Sequence, residues 1–387
     1  MLKYLFTCCL LFNIYQYVVS QDIIKVEINP EMLQLGECKL NDLAESVEYI
    51  PLETTNECMI GKIKYFDISE NYIVVYCSKS DLVYLFHRDG RFISPVGNKG
   101  YDTGEYLSPD GVFINEKKGR IIVICSYSHQ HLNYDLNGKY IDAVLMDEKT
   151  ANGLFRRFYD EQYLITTKNY HGNEPFAYEI RGTDLKLITE KVKTVYYETG
   201  SVINVISGPP NHYLYKDLIH VKELSLNDTI YSIEKNYFFK PKYVVNAGKY
   251  EVTTDLKAEK DGNTFLKRAK EYVCFRQFYE TKDKLFILYD YQDKNHYCYF
   301  DLNTRKLLYF SSERGIPNDY DGGMDFWPQR QDNRFWYTFY DVKYFEKEFS
   351  NNNTPQGDPK AIQTYNKLME NIDLYKNPIL VIVKIKE

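Results

Sequence analysis

Apolar and polar positions alternate in short runs along most of the chain, and the runs recur. Residues 73–96 (IVVYCSKSDLVYLFHRDGRFISPV) align without a gap on residues 121–144 (IIVICSYSHQHLNYDLNGKYIDAV), at an offset of 48, with eight of 24 positions identical. Cys77/Cys125, Ser78/Ser126, Gly90/Gly138 and Ile93/Ile141 are among the identical pairs. Each copy holds an apolar run, a break, a second run, a tight turn and a third run. Asp89-Gly90 and Asn137-Gly138 supply the turn, because both central residues of a type I′ hairpin need positive φ, which Gly, Asn and Asp adopt at low cost. Short runs rich in β-branched and aromatic residues, bounded by such turns, predict strands.

Weaker copies follow at 163–188, 228–246, 284–310 and 326–340 with 378–386. Phe300-Asp301-Leu302-Asn303 nearly repeats Tyr134-Asp135-Leu136-Asn137. Units of 40–50 residues with about four short strands each predict an all-β fold, a six-bladed β-propeller. One four-stranded sheet cannot bury both its faces. Neighbouring sheets must therefore cover each other around an axis, and the ring must close. The last unit holds only three strands, and residues 23–28 (IIKVEI) stand alone. They are predicted to complete that unit beside residues 379–385, so that the N-terminal and C-terminal strands close the ring. A pair of β-sandwiches is the runner-up, and it leaves the gapless offset unexplained.

Two segments break the strand pattern. Residues 256–271 predict a short helix with Thr264 as its N-cap. Residues 359–372 place Ala361, Ile362, Tyr365, Leu368, Met369 and Ile372 at helical spacing. Both are expected as insertions on a single propeller spanning residues 21–387. Residues 1–20 (MLKYLFTCCLLFNIYQYVVS) have the layout of a signal peptide: Lys3, then an apolar stretch, then Val18-Val19-Ser20 with small residues before Gln21. Asn13 and Gln16 interrupt the apolar stretch, which is short for a span of about 20 residues. The chain is expected to be exported to the periplasm or cell surface, with no transmembrane span once this segment is cleaved. A lipid anchor at Cys8 or Cys9 fits less well, because Thr7 or Cys8 would precede it.

Composition sharpens this picture at three points. Tyr contributes 38 residues against two Trp, which favours half-buried strands and wet interfaces. The formal net charge is −6 with no basic run, which excludes a polybasic nucleic-acid binder. Beyond residue 20 the cysteines are Cys38, Cys58, Cys77, Cys125, Cys274 and Cys298. Their wide spacing is unlike a disulfide-stapled framework, and Cys77 and Cys125 fall within apolar runs where buried thiols are common. Cys38–Cys58 is the pairing to test first.

Motifs of nucleophilic hydrolases, zincins and nucleotide-binding loops are missing from the sequence. His129-x-His131 would place two imidazoles on one strand face, as a metal requires. Against that, His131 aligns with Val83 of the previous copy and reads equally as a packed residue. Asp319, Asp321 and Asp325 form a carboxylate group in a Gly-rich loop that could hold Ca²⁺, or could cap turn amides. A ligand on the propeller axis would meet Lys99, Glu105 and Tyr106 from one connection between units and Asp319, Asp321 and Trp327 from another. Arg156-Arg157 and Asn169-Tyr170-His171 are further rim candidates.

Four segments carry a resemblance. They are Val47-Glu48-Tyr49-Ile50-Pro51-Leu52-Glu53-Thr54; Gly97-Asn98-Lys99-Gly100-Tyr101-Asp102-Thr103-Gly104-Glu105-Tyr106; Asn318-Asp319-Tyr320-Asp321-Gly322-Gly323 with Trp327-Pro328; and Asn377-Pro378-Ile379-Leu380-Val381. In this order they resemble the exported six-bladed β-propeller proteins of gut Bacteroidetes, a family of NHL-like and TolB-like architecture. Asp102 and Thr103 stand where that family usually has Gly and Pro. The resemblance implies the fold and export, and the family's role is mostly unassigned. The expected function is a binding or scaffold module for a glycan, peptide or envelope protein at the channel mouth. The alternative is a hydrolase or lyase acting on polysaccharide or peptide through Glu105, Asp319, Asp321 or Asp325, which would need two carboxylates about 5–10 Å apart in a cleft.

Overall fold

The strand Tyr72–Cys77 shows how these residues are used. Ile73, Val75 and Cys77 pack with Ile50, Phe339 and Ile382 on one side. Val74 and Tyr76 pack with Val112, Ile121 and Leu132 on the other. The whole run is apolar because both of its faces are covered, each buried aliphatic side chain contributing roughly 1.5–3 kcal/mol. A computed structural model describes residues 23–167, 175–193, 212–222, 229–348, 355, 357–372 and 375–387. The residues predicted as a signal peptide and Asn169-Tyr170-His171 lie outside them.

The chain is mainly β, with a propeller arrangement. Successive groups of four antiparallel strands follow one another. Sheet I is Ile63–Ile68, Tyr72–Cys77, Leu82–His87 and Phe92–Pro95. Sheet II is Gly111–Asn115, Arg120–Cys125, Gln130–Asp135 and Tyr140–Leu145. Sheet III is Gly153–Tyr159, Gln162–Thr167, Phe176–Gly182 and Leu187–Val192. Sheet IV is His212–Tyr215, Leu218–Lys222, Thr229–Ile233 and Phe239–Asn246. Sheet V is Cys274–Glu280, Lys284–Tyr291, Lys294–Asp301 and Lys306–Tyr309. Sheet VI is Arg330–Asp332, Phe335–Tyr340, Ile379–Ile385 and Ala44–Pro51. Sheets IV and VI touch through one parallel bridge, Leu214 to Asp332. Apolar clusters lie between neighbouring sheets, as between VI and I, I and II, II and III, and III and IV.

The closing strand differs from the one expected. Residues Ile24–Glu27 pair parallel with Phe239–Asn246 at the outer edge of sheet IV, where Val26 is fully buried. Leu35 then makes a parallel bridge to Tyr309 at the edge of sheet V. The fourth strand of sheet VI is Ala44–Pro51, antiparallel to Ile379–Ile385 from Ala44/Ile385 to Pro51/Ile379. That segment is twice as long as Ile24–Glu27 and apolar on both faces near its end, so it satisfies the whole ladder and covers both neighbouring sheets. Thus residues 24–51 bind the outer edges of three sheets in turn.

The hairpin glycines lock adjacent sheets. Gly90 and Gly138 have φ of 89° and 76°, and their carbonyls accept hydrogen bonds from Glu53 and Gly97 amides at 2.9 and 3.0 Å. A Cβ at these positions would lie 2.3 Å from the Pro51 oxygen and 2.1 Å from the Pro95 oxygen. The equivalent contacts on Pro51 and Pro95 show Ala44–Pro51 acting in sheet VI as Phe92–Pro95 acts in sheet I.

The helical segments differ from those expected in extent and capping. The stretch near 256–271 forms Thr254–Lys257 and Gly262–Ala269. The cap of the second helix is Asp261, whose carboxylate accepts the Thr264 amide at 2.7 Å, so Thr264 lies inside the first turn. Asp261 can reach that amide from outside the helix, whereas Thr264 already has helical neighbours on both sides. Pro359–Glu370 is helical, with Asp358 as its cap. Leu40–Leu43 and Val342–Glu348 are additional short helices. All six described cysteines are buried free thiols, so Cys38 and Cys58 are not joined.

Candidate functional site

The predicted rim residues occupy two separate connections, and no contact described joins them. In the first, Tyr106 is 1% exposed. Its hydroxyl accepts from the Val83 amide at 2.9 Å and donates to the Val96 carbonyl at 2.8 Å, fixing the last strand of sheet I. Glu105 accepts the Asp102 amide at 3.1 Å and closes its own loop. Lys99 pairs with Asp81 at 3.2 Å. Lys99 lies at the surface, while the Tyr106 hydroxyl is already committed to two backbone partners.

In the second connection, Asp319 accepts the Asn41 amide at 2.9 Å. Asp321 is 2% exposed and accepts from the Tyr49 hydroxyl at 2.8 Å, the Asn318 amide group at 2.8 Å and the Gly323 amide at 2.9 Å. Burial pushes the Asp321 carboxyl above the usual range. Asp325 accepts from the Asn318 amide at 3.1 Å and from the Ser312 hydroxyl. The Trp327 indole donates to Gln277 at 2.8 Å and packs edge-on against Tyr297. Tyr320 donates to the Glu45 carbonyl at 3.0 Å. Asp325 thus bonds within its own connection and Trp327 bonds sheet V, while Asp319, Tyr320 and Asp321 clasp the closing segment 40–51. Asn377 does the same further on, donating to the Glu53 and Cys58 carbonyls at 2.7 and 2.9 Å and accepting the Ile60 amide at 2.7 Å.

Among the described residues, no three His, Cys, Asp or Glu side chains come together in a way that could hold a metal ion. The three aspartates that could hold Ca²⁺ or cap turn amides are each engaged by protein donors. His129 sits in a turn with φ of 52°, outside the strand Gln130–Asp135, so it does not share a strand face with His131.

The charges that do converge lie on the first strands of the sheets, around the axis. Arg330 of sheet VI bonds Asp67 of sheet I at 2.5 Å and Asp332 at 2.8 Å. Asp332 also pairs with Arg157 of sheet III. Asp67 accepts the Ile114 amide of sheet II at 2.8 Å. Gln331 accepts the Glu280 amide of sheet V at 2.9 Å, and Asn333 accepts the Asp217 amide beside sheet IV at 2.9 Å. Residues 330–333 thus contact sheets I, III, IV and V directly and reach sheet II through Asp67. Burial raises the Asp332 carboxyl, but the Arg157 and Arg330 guanidinium groups outweigh it and hold the group below the usual range. Two cations and two anions thus balance in this cluster among the described residues.

Of these residues the sequence pointed only to Arg157, as a rim candidate, and the structure buries it. Asp67, Arg330 and Asp332 were missed. The available signal was a charge placed inside the first strand of a unit, where apolar residues prevail.

A second buried group ties sheets IV and V. Lys242 donates to both Glu280 oxygens at 2.7 and 2.8 Å and to His220 at 3.1 Å. Burial and the adjacent Lys242 charge lower His220 to about 3, so it stays neutral.

A family profile described as a domain of unknown function, DUF4934, matches residues 23–384. No curated protein matches the chain. The solved structure of a Bacteroides fragilis protein described as exported is 16% identical, with a TM-score of 0.68 over 94% of this chain and 100% of that one. A Bacteroides vulgatus member of the duf4221 family is 10% identical, with a TM-score of 0.52 over 90% of this chain and 99% of that one. At these identities the likeness concerns the fold alone.

Proposed function

The chain belongs to the DUF4934 family, whose function is unknown, and we propose that it is an exported six-bladed propeller that binds a ligand without transforming it. Sheets I to VI are its six blades, and Ala44–Pro51 closes the ring. Export is supported by the layout of residues 1–20 and by the similar Bacteroides fragilis structure. The ligand is a glycan, a peptide or an envelope protein.

One observation carries the binding reading over the hydrolase or lyase reading. Each carboxylate offered for acid–base work, in Glu105, Asp319, Asp321 and Asp325, is engaged by an amide or hydroxyl of its own connection or of the closing segment. A general acid or base must instead reach the proton it moves on a substrate. The test is a thermal-shift screen of residues 21–387 against host and dietary oligosaccharides, peptidoglycan fragments and peptides, followed by chromatography of each hit after long incubation. Binding with intact ligand is the expected result. Released products, lost in Asp321→Asn or Glu105→Gln, would overturn the proposal in favour of an enzyme.

A further inference from the structure

The gapless repeat allows a comparison within the molecule. Sheet I turns Val74, Val83, Leu85 and Val96 towards sheet II, and the interface is closed by apolar packing. Forty-eight residues later, sheet II turns Ile122, His131, Asn133 and Val144 towards sheet III. The cross-strand register is the same: Leu85 faces Ser94 as Asn133 faces Asp142. Arg120 occupies the place of Tyr72 on this face. Deep between sheets II and III the contact is apolar, through Phe113, Ile124, Tyr163 and Ile165. Further out it opens into a groove of about 750 Å³, lined among others by Arg120, His131, Asn133, Asp142 and Tyr163. That volume falls within the usual range of small-molecule sites, about 300–1,000 Å³.

His131 is 2% exposed, and its Nδ1 has no hydrogen-bond partner among the described residues, although Nε2 meets the Tyr163 hydroxyl at 2.8 Å. A buried polar atom left unpaired costs stability, and Val in the same place would not. The neighbouring polar groups are held in position. Asn133 donates to Asp142 at 2.6 Å, Arg120 donates to the same carboxylate at 3.1 Å, and Asn115 donates to Glu161 at 2.8 Å.

We infer that this groove between the second and third blades is a binding site for a neutral, polyhydroxylated ligand, that is, an oligosaccharide. The inference rests on the binding role proposed above and gives it a place and a ligand class. The Arg120 guanidinium is matched by Asp142, the Lys118 ammonium by Glu161 and the Asp184 carboxylate, which also lines the groove, by Lys186, so neither an anion nor a cation is favoured. What the groove offers is a set of fixed donors and acceptors side by side, on planar Asn, Asp and Arg side chains. Hydroxyl groups both donate and accept, and they fit such a set without any change of charge.

The test restores the residues of sheet I. The triple variant His131→Val, Asn133→Leu, Asp142→Ser and the wild type are titrated by calorimetry with neutral hexasaccharides of glucose, mannose, galactose and xylose, and both are melted. Wild type is expected to bind at least one, and the variant to bind it more weakly by about ten-fold or more. The variant is expected to melt no lower than wild type. Equal affinity in the two proteins would overturn the groove as the site while leaving the binding role in place. A large fall in melting temperature would show that the polar residues serve packing, and silence of wild type with all four sugars would overturn the ligand class. Cleavage of a sugar would count against the binding role itself.

Discussion

Replacing Asp332 by Asn tests the axial network. Asp332 is the only anion shared by Arg157 and Arg330 among the contacts described, and Asn would keep its shape while leaving two guanidinium groups with Asp67 alone. Removing one partner of a buried pair costs about 3–5 kcal/mol, because the other charge is left uncompensated. The Arg330 and Asp332 side chains each retain 16% of their exposure, which places the cost at the low end, about 3 kcal/mol. Unfolding entropy of about 2.1 cal/mol/K per residue gives a chain of this length about 0.8 kcal/mol/K, so the melting temperature should fall by about 4 °C. Asp293→Asn is the control. Its pair with Lys270 has side chains 67% and 51% exposed, and no resolvable shift is expected. The pH dependence adds a second readout. The Asp332 carboxyl is held below its unfolded value, so its contribution is complete above the usual carboxylate range and fades as pH falls through the folded value. The gap between wild type and Asp332→Asn should therefore narrow in acid. Differential scanning calorimetry at neutral and acid pH reads both effects. If Asp332→Asn melts together with the control at neutral pH, or the gap widens in acid, the network does not hold the sheets as argued.

Truncation separates the two roles of the N-terminal segment. A chain starting at residue 37 should remain folded with a lower melting temperature, whereas one starting at residue 52 lacks the closing strand and should be insoluble or fail to melt cooperatively. Gly138→Ala should destabilise by about 1–3 kcal/mol in urea unfolding, through its positive φ and the approach of the Pro95 carbonyl. Burial lowers His131 to about 4, so the unfolded chain binds its proton first and stability should fall as pH drops from about 6.5 towards that value. His131→Val should flatten this part of the stability curve in urea titrations. Alkylation without reductant in denaturant should label all six cysteines of a chain that lacks residues 1–20, and a disulfide would lower the number by two.

The blades were legible because their signal is local and repeated. The offset of 48, the Asp-Gly and Asn-Gly turns and the doubly buried strands are written into consecutive residues. Closure was harder to read because it depends on contacts between distant residues. A segment of four to eight residues can add to any free edge, and only the three-dimensional pairing shows that Ala44–Pro51 lies beside Ile379–Ile385 while Ile24–Glu27 pairs with sheet IV. The same contacts account for the rim residues. Tyr49, Asp319, Asp321 and Asn377 belong to segments that carry the family resemblance, and each reaches across the seam of the ring or caps a backbone group there.

Residue chemistry alone pointed to connection carboxylates that the structure engages with amides and hydroxyls. Asp in a Gly-rich loop suits a metal or an acid catalyst, but a connection crossing between sheets must also satisfy its own amides, and that demand consumes the carboxylates first. The more discriminating signal is a departure from the internal repeat in the costly direction. Val83→His131 and Leu85→Asn133, read as changes between copies, replace packed apolar groups by polar ones on a face turned towards the next sheet. Packing gives no reason for such a change, since the apolar version of the same face is already present one copy earlier. A difference between two copies of one unit holds backbone and register nearly constant, so what remains is the difference in what the two interfaces are asked to do.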